Sequence, residues 1–207
     1  MQLKNIGEFG LIDQLISPHF KELIKGDVKG IGDDCAVLPM DAQTLQVVTT
    51  DMLVEDVHFL RKQMPPYNLG FKSLAVNLSD IAAMGAWPTG SFLSVAFPEH
   101  LELEWITEFI KGYKSLSSEE ETPLLGGDTT KSPGSIIINV TVTGLVEKER
   151  IKYRSTARPG DIICVPDYLG DSAGGFQIIL NNHPIDAAAR QLLKQHSRPA
   201  PKISEAR

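Results

Sequence analysis

Apolar side chains along the chain fall into two distinct periods. Between residues 68 and 85, Leu74, Leu78, Ile81 and Ala82 recur at helical spacing on one face, while Ser73, Asn77, Asp80 and Met84 form another, polar one. Leu103, Ile106, Ile110 and Tyr113 predict a second amphipathic helix. Phe9, Ile12, Leu15, Ile16 and Phe20 predict a third over residues 8–23, ended or kinked at Pro18. The period changes to two over residues 136–146, where Ile136, Ile138, Val140 and Val142 alternate with Ile137, Asn139, Thr141 and Thr143. Shorter strand candidates are 35–38, 45–50 ending at Asp51, and 92–97 closed by Pro98. The connections are too varied for a parallel βαβ array, so the expected fold is α+β: a mixed four-stranded sheet with helices on one face. A polar break over residues 147–160 divides this unit, residues 1–148, from 149–207. The second segment carries a strand candidate at 162–165 and a helix opened by residues 170–175, and reads as an incomplete second α+β domain.

Composition narrows the classes of function. The 207 residues carry a formal net charge of −6 without a basic patch, which argues against nucleic acid and anionic membrane as partners. No stretch approaches the ~20 apolar residues of a membrane span, and the first residues do not form a signal peptide. Cys35 and Cys164 lie far apart with no CxxC partner, a pattern that suits buried thiols in a reducing cytoplasm.

The chemistry lies in where the carboxylates fall. Asp34 sits in a glycine turn, Asp51 at a strand end, Asp80 on a polar helix face and Asp128 after Gly126-Gly127. Strand ends and the loops after them gather ligand-binding groups. Converging carboxylates repel by about 4 kcal/mol per pair at 4 Å and an effective dielectric of 20, a cost that a divalent cation removes. Magnesium takes such oxygens together with water and substrate phosphate, and hydroxyls at Thr49, Thr50 and Thr129 add neutral oxygens. Aspartates in these positions also make turns and helix N-caps, and the residues alone leave both readings open. No Walker A, GxGxxG or protein-kinase lysine motif is present, so phosphates handled here need metal for neutralisation, with Lys131 and Arg154 as basic helpers. His58 follows the Asp51 strand end by one short loop. Ser172 has no His/Asp pattern around it in the sequence.

Several segments in this order resemble the thiamine-monophosphate kinase family of the ATP-binding superfamily that includes aminoimidazole ribonucleotide synthetase and selenophosphate synthetase. They are Gly7-Glu8-Phe9, Gly32-Asp33-Asp34-Cys35-Ala36, Thr49-Thr50-Asp51 with His58-Phe59, Ala75 to Ala86, Gly126-Gly127-Asp128-Thr129-Thr130 and Gly170-Asp171-Ser172-Ala173. The resemblance implies an aminoimidazole ribonucleotide synthetase N-terminal-like domain. It implies magnesium ligands at Asp34, Thr49, Thr50, Asp51, Asp80 and Asp128, ATP contacts at Gly127, Asp128 and Arg154, and a thiamine phosphate contact at His58. It also implies a homodimer built through the first domain, which binds ATP and magnesium, and direct transfer of the ATP γ-phosphoryl to thiamine monophosphate without a covalent nucleophile.

The family's second domain continues beyond position 207 with a Ser-Asp-Gly-Leu segment that this sequence lacks. The expectation is therefore a chain that folds its first domain and dimerises but phosphorylates poorly. Two other functions stay open: a non-catalytic magnesium–ATP binding fragment, and another ATP-using synthetase of the same superfamily.

Overall fold

The computed structural model describes residues 3–207. Five strands form one sheet: β1 (Ala36–Pro39), β2 (Thr44–Val54), β3 (Trp87–Pro98), β4 (Leu124–Ser132) and β5 (Ile137–Glu147). Their order is β1-β2-β5-β3-β4, antiparallel throughout except for the parallel β3–β4 pair. The sheet is mixed, as expected, but has five strands rather than four. The extra strand is β4, whose Gly-Gly pair and short apolar run obscure its period. Gly127 there has φ +153°, and a Cβ on it would lie 1.8 Å from the Leu93 carbonyl oxygen. Only glycine permits that approach between β4 and β3.

Helices α1 (Gly7–Leu11) and α2 (Ser17–Phe20) flank a π-helical turn, Ile12–Ile16. Pro18 stands in the first turn of α2, so the helix changes character where proline removes a donor. Next come α3 (Pro66–Ala83), α4 (Leu103–Glu119), α5 (Asp171–Asn181), α6 (Ala187–Ser197) and α7 (Ile203–Ala206). Asp186 caps α6 by accepting the Ala189 N–H at 2.8 Å.

Alternation on β5 is as expected: Ile138, Val140, Val142 and Val146 are buried, with half-buried neighbours between them. With Val47, Leu45 and Leu53 of β2 they form the sheet face on which α3 packs through Leu74, Leu78 and Ile81. Helix α4 crosses α3 closely, and a Cβ on Gly112 would sit 1.8 Å from the Tyr67 carbonyl oxygen. Phe97, Trp105 and Phe109 cluster edge-on and stacked beside that crossing. The opposite sheet face shows Met52, Trp87 and Phe92, each more than a third exposed.

Ser73 and Asn77 of α3, and Met84 just after it, are buried although they share the second, polar face, because α3 is covered on more than one side. Two expectations fail. Residues 162–165 pair with no strand; Ile162 and Ile163 are about nine-tenths exposed. Their β-branched run lacks a neighbour among the described residues, and β propensity without a pairing partner does not make a strand. Cys35 is buried, but Cys164 is exposed because it lies on that same unpaired run.

Candidate functional site

Antiparallel register fixes which side chains of β2 share a face. Leu45, Val47, Thr49 and Leu53 point toward α3, so Thr49 and Asp51 lie at the helix-covered side while Thr50 faces the open side. Thr49 is buried and its Oγ1 donates to Asp80 Oδ2 at 2.6 Å, tying β2 to the last turn of α3. Asp80 is pushed up to about 6, first by burial and then by the charges of Asp51 and Asp34, against the lowering effects of the Thr49 hydroxyl and Arg154. Asp51 is also held above the usual carboxylate range, first by desolvation and also by Glu8, while His58 pulls it down.

The loop before β1 closes this cluster. Asp34 pairs with the Arg154 guanidinium, and Arg154 donates its backbone N–H to Asp33 Oδ1 at 3.4 Å. Asp33 itself is neutralised by Lys29 at 3.2 Å, whose ammonium also lies over the Tyr153 ring. Cys35 is buried beside the same acids; its thiol is pushed up to about 12 by desolvation and by Asp80, Asp34 and Asp33. That makes it an inert core thiol rather than a nucleophile. Glu55 belongs to the scaffold, because it accepts the Ile136 N–H at 2.9 Å and pairs with Arg61 at 2.9 Å.

The expected ligands therefore divide between two faces. Asp34, Thr49, Asp51, Asp80 and Arg154 gather on the helix-covered side. Asp128 is in register with Ser94, and Ser94 with Asn139, which puts Asp128 on the open side with Thr50. There Thr50 Oγ1 accepts from Asn139 Nδ2 at 3.0 Å and from Thr141 Oγ1 at 3.1 Å. Gly127 and Asp128 border a groove of about 530 Å³ between α4 and β4, walled by Ile106, Ile110 and Leu124. Among the described residues, no three His, Cys, Asp or Glu side chains form a ready-made metal centre.

The donor set on the helix-covered side nonetheless fits magnesium. That ion is held by one or two carboxylates with water and phosphate oxygens rather than by a full protein cage. Asp80 is a partly buried acid whose charged neighbours are mostly acids. The Asn77 Oδ1, one helical turn before it, is buried with no partner among the described residues. Oxygen acceptors left over beside uncompensated negative charge suit a hydrated cation.

His58 is fixed by its backbone. Val54 N–H donates to His58 Nδ1 at 3.0 Å, so in the neutral ring the proton sits on Nε2. His58 lines a cavity of about 360 Å³ whose far wall comes from α5 and α6. No sequence signal marks that wall: Phe176 and His196 lie in the second segment, and nothing local links them to His58. Ser172, isolated in the sequence, lies 3.2 Å from His196 Nδ1, but among the described residues no acid orients that imidazole to complete a triad.

The chain is 39% identical over 197 residues to a thiamine-monophosphate kinase of Buchnera aphidicola, covering 93% of this chain and 60% of that protein. It is 38% identical over 199 residues to the thiamine-monophosphate kinase of Escherichia coli, covering 95% of this chain and 60% of that one. A solved structure of AaThiL complexed with AMPPCP and TMP superposes with a TM-score of 0.89 at 36% identity, covering 100% of this chain and 63% of that chain. The chain thus spans about 60% of the length of the curated relatives it matches. Residues 32–146, more than half of the chain, match the model of the AIR synthase related protein family, N-terminal domain, and the chain belongs to that family.

Proposed function

We propose that this chain is the nucleotide- and magnesium-binding part of a thiamine-monophosphate kinase, which transfers the γ-phosphoryl of ATP to thiamine monophosphate and yields thiamine diphosphate. The observation that carries the reading is the convergence of Asp34, Thr49, Asp51 and Asp80 where β2 meets α3, with Asp80 already destabilised as an anion. Such a cluster is poised for cations and phosphates. Relatives named thiamine-monophosphate kinase, and a neighbour solved with AMPPCP and TMP, supply the acceptor.

Asp34, Thr49, Asp51 and Asp80 are the residues that would hold magnesium on one side, and Thr50 and Asp128 on the other. When bound, magnesium supplies charge neutralisation at the phosphates and lets donor and acceptor phosphates approach each other. The chain's own residues do the positioning. Gly127 gives backbone access at the groove, where Ile106, Ile110 and Leu124 offer an apolar wall for a base. Arg154, exposed and paired with Asp34, lies beside the acids and suits a nucleotide phosphate. His58, protonated on Nε2 in its neutral form, can donate to the acceptor phosphate without taking a proton from it. That phosphate is already ionised near neutral pH, so no strong base is required.

A homodimer formed through the open sheet face completes the reading. Its support is the exposed row of Met52, Trp87 and Phe92 beside half-buried threonines, a surface more apolar than a solvated sheet face usually shows. We take residues 1–148 as this nucleotide and dimer unit and 149–207 as the start of a second domain. The two free cysteines suit the cytoplasm, and no described helix is long and apolar enough to cross a membrane.

A second reading keeps binding and drops chemistry: a magnesium–nucleotide module. Incubation of the chain with labelled ATP, magnesium and thiamine monophosphate, followed by chromatography, separates the two. Labelled thiamine diphosphate supports the kinase reading for this chain. Nucleotide binding with no labelled product supports the module.

A further inference from the structure

Beyond Val54, the last residue of β2, the chain leaves the sheet in a closed knot of hydrogen bonds. Val54 O accepts the N–H groups of Val57 at 3.2 Å and His58 at 2.9 Å, and Asp56 N–H donates to Phe59 O at 2.9 Å. Asp56 stands at φ +66°, the left-handed conformation that lets the chain reverse there. Phe59 is buried and anchors the far side of the turn in the core. The His58 ring completes the knot, because the Val54 N–H donates to its Nδ1 at 3.0 Å. The orientation of that ring therefore depends on where the strand stops and how the loop departs.

Glu55 controls the departure. Val54 is in register with Ile137, so Glu55 falls opposite Ile136. Glu55 N–H donates to Ile136 O at 2.9 Å, as an antiparallel ladder requires. The return bond differs: Ile136 N–H donates to the side-chain Oε2 of Glu55, also at 2.9 Å. The carboxylate takes the place of a main-chain carbonyl, so the buried Ile136 N–H is satisfied while the chain is free to leave the sheet. Its other oxygen, Oε1, pairs with Arg61 Nε at 2.9 Å, beyond His58 in the loop. The Glu55 side chain is only 8% exposed, so this pair is largely shielded from water. One carboxylate thus ties the start of β5 to both ends of the segment that carries His58.

We infer that Glu55 is a positioning residue for His58: its carboxylate, held between Ile136 and Arg61, keeps residues 54–61 in the turn that places Nδ1 on the Val54 N–H and leaves the ring proton on Nε2. This inference rests on the kinase reading above, in which that proton meets the acceptor phosphate, and deepens it. Glu55 acts only through the ring. Without the bridge to Arg61 the exit of the loop is untied, the Val54 contact loosens and the proton divides between the two ring nitrogens. A donor that is no longer aimed is a weaker contact for the phosphate.

Nuclear magnetic resonance of the full 207-residue chain with isotope-labelled histidine reads the ring directly, without turnover. His58→Gln identifies the His58 signal among the five histidines. At about pH 8.5, well above the ordinary imidazole range, the wild-type ring should show the Nε2–H tautomer alone. Glu55→Gln keeps an acceptor for Ile136 and loses the ion pair; Arg61→Met breaks the same pair from the other side. Both should stay folded, bind AMPPCP as wild type does and show a mixture of tautomers at His58. Both should also bind thiamine monophosphate about tenfold more weakly. Arg61→Lys, which restores a cation, should recover the single tautomer and the affinity. A single Nε2–H tautomer in folded Glu55→Gln and Arg61→Met overturns the positioning role, as does a wild-type ring protonated on Nδ1. A shifted ring with undiminished thiamine monophosphate affinity overturns the link to the acceptor. If the ring responds as expected but wild-type chain binds AMPPCP and no thiamine monophosphate, the positioning role stands and the choice of acceptor falls.

Discussion

At the scale of single residues, Asp80 carries the sharpest consequence. Its pKa in the fold, about 6, lies above the value of about 3.9 for a free aspartate, so the native state holds its proton more tightly than the unfolded chain does. The stability this provides is fully present below pH ~4 and is lost as pH rises through about 6. Above pH 6 the ionised group is a burden in the metal-free protein. Asp80→Asn should therefore raise the melting temperature in EDTA at pH 7.5, by an amount on the order of 1 kcal/mol or a few degrees. The gain should shrink as pH falls toward 4. Magnesium should stabilise wild type and not the variant, and a differential scanning fluorimetry series over pH checks both.

Arg154 behaves conversely. It is exposed, and its pair with Asp34 contributes little to folding. Arg154→Gln should leave the melting curve nearly unchanged. Because Arg154 competes with cations for Asp34, the variant should bind magnesium more tightly without nucleotide. It should bind AMPPCP about tenfold more weakly, in line with loss of one charge-assisted contact. Parallel titrations with each ligand show whether the two effects separate.

At the scale of elements, legibility follows how each one is covered. Strand β5 is legible because one of its faces is buried and the other half-buried, which writes a strict alternation into the sequence. Helix α3 is legible for its Leu74–Leu78–Ile81 face, whereas the burial of its polar residues Ser73 and Asn77 is not. Polar residues inside a helix paired to local carbonyls keep the appearance of a wet face: Ser73 Oγ donates to Gly70 O at 2.8 Å and Asn77 Nδ2 to Ser73 O at 3.2 Å. The edge strand β4 is hidden because two glycines erase side-chain periodicity, and of these Gly127 is needed for the close approach to the Leu93 backbone. Residues 162–165 mislead for the reverse reason, since propensity is present and a partner strand is not.

Two glycine variants probe these contacts. Gly112→Ala drives a methyl into the Tyr67 carbonyl at the α3–α4 crossing and should cost about 1–3 kcal/mol in urea unfolding, as overpacking does. Gly127→Ala strains both backbone dihedral and β3–β4 contact, so it should loosen β4 and impair nucleotide binding beyond its effect on global stability. Hydrogen exchange at β4 amides distinguishes that local loosening from general unfolding.

For the whole molecule, acidic residues that are distant in the chain become one site only through the sheet. A glycine turn, the close of a β-branched run and a polar helix face are enough to mark Asp34, Asp51 and Asp80, although Asp51 lies inside β2 rather than at the strand end expected for it, because β2 continues to Val54. Their split from Thr50 and Asp128 across two faces depends on strand register, which no local pattern encodes. The wall of Phe176 and His196 exists only because the second segment folds back beside the first. Open-face apolar residues give the assembly prediction: Phe92→Asp should turn the proposed dimer into a monomer in sedimentation velocity while leaving the monomer folded, because Phe92 faces outward rather than into the core.

Carboxylates at the β2–α3 junction and along β4 should together bind nucleotide through a divalent cation. Calorimetric titration of the chain with AMPPCP, with magnesium and then with EDTA, tests this most directly. The expected result is saturable binding with magnesium, lost in EDTA and lost in Asp80→Asn. Equal affinity in magnesium and EDTA, or undiminished magnesium-dependent binding by Asp80→Asn, would contradict it.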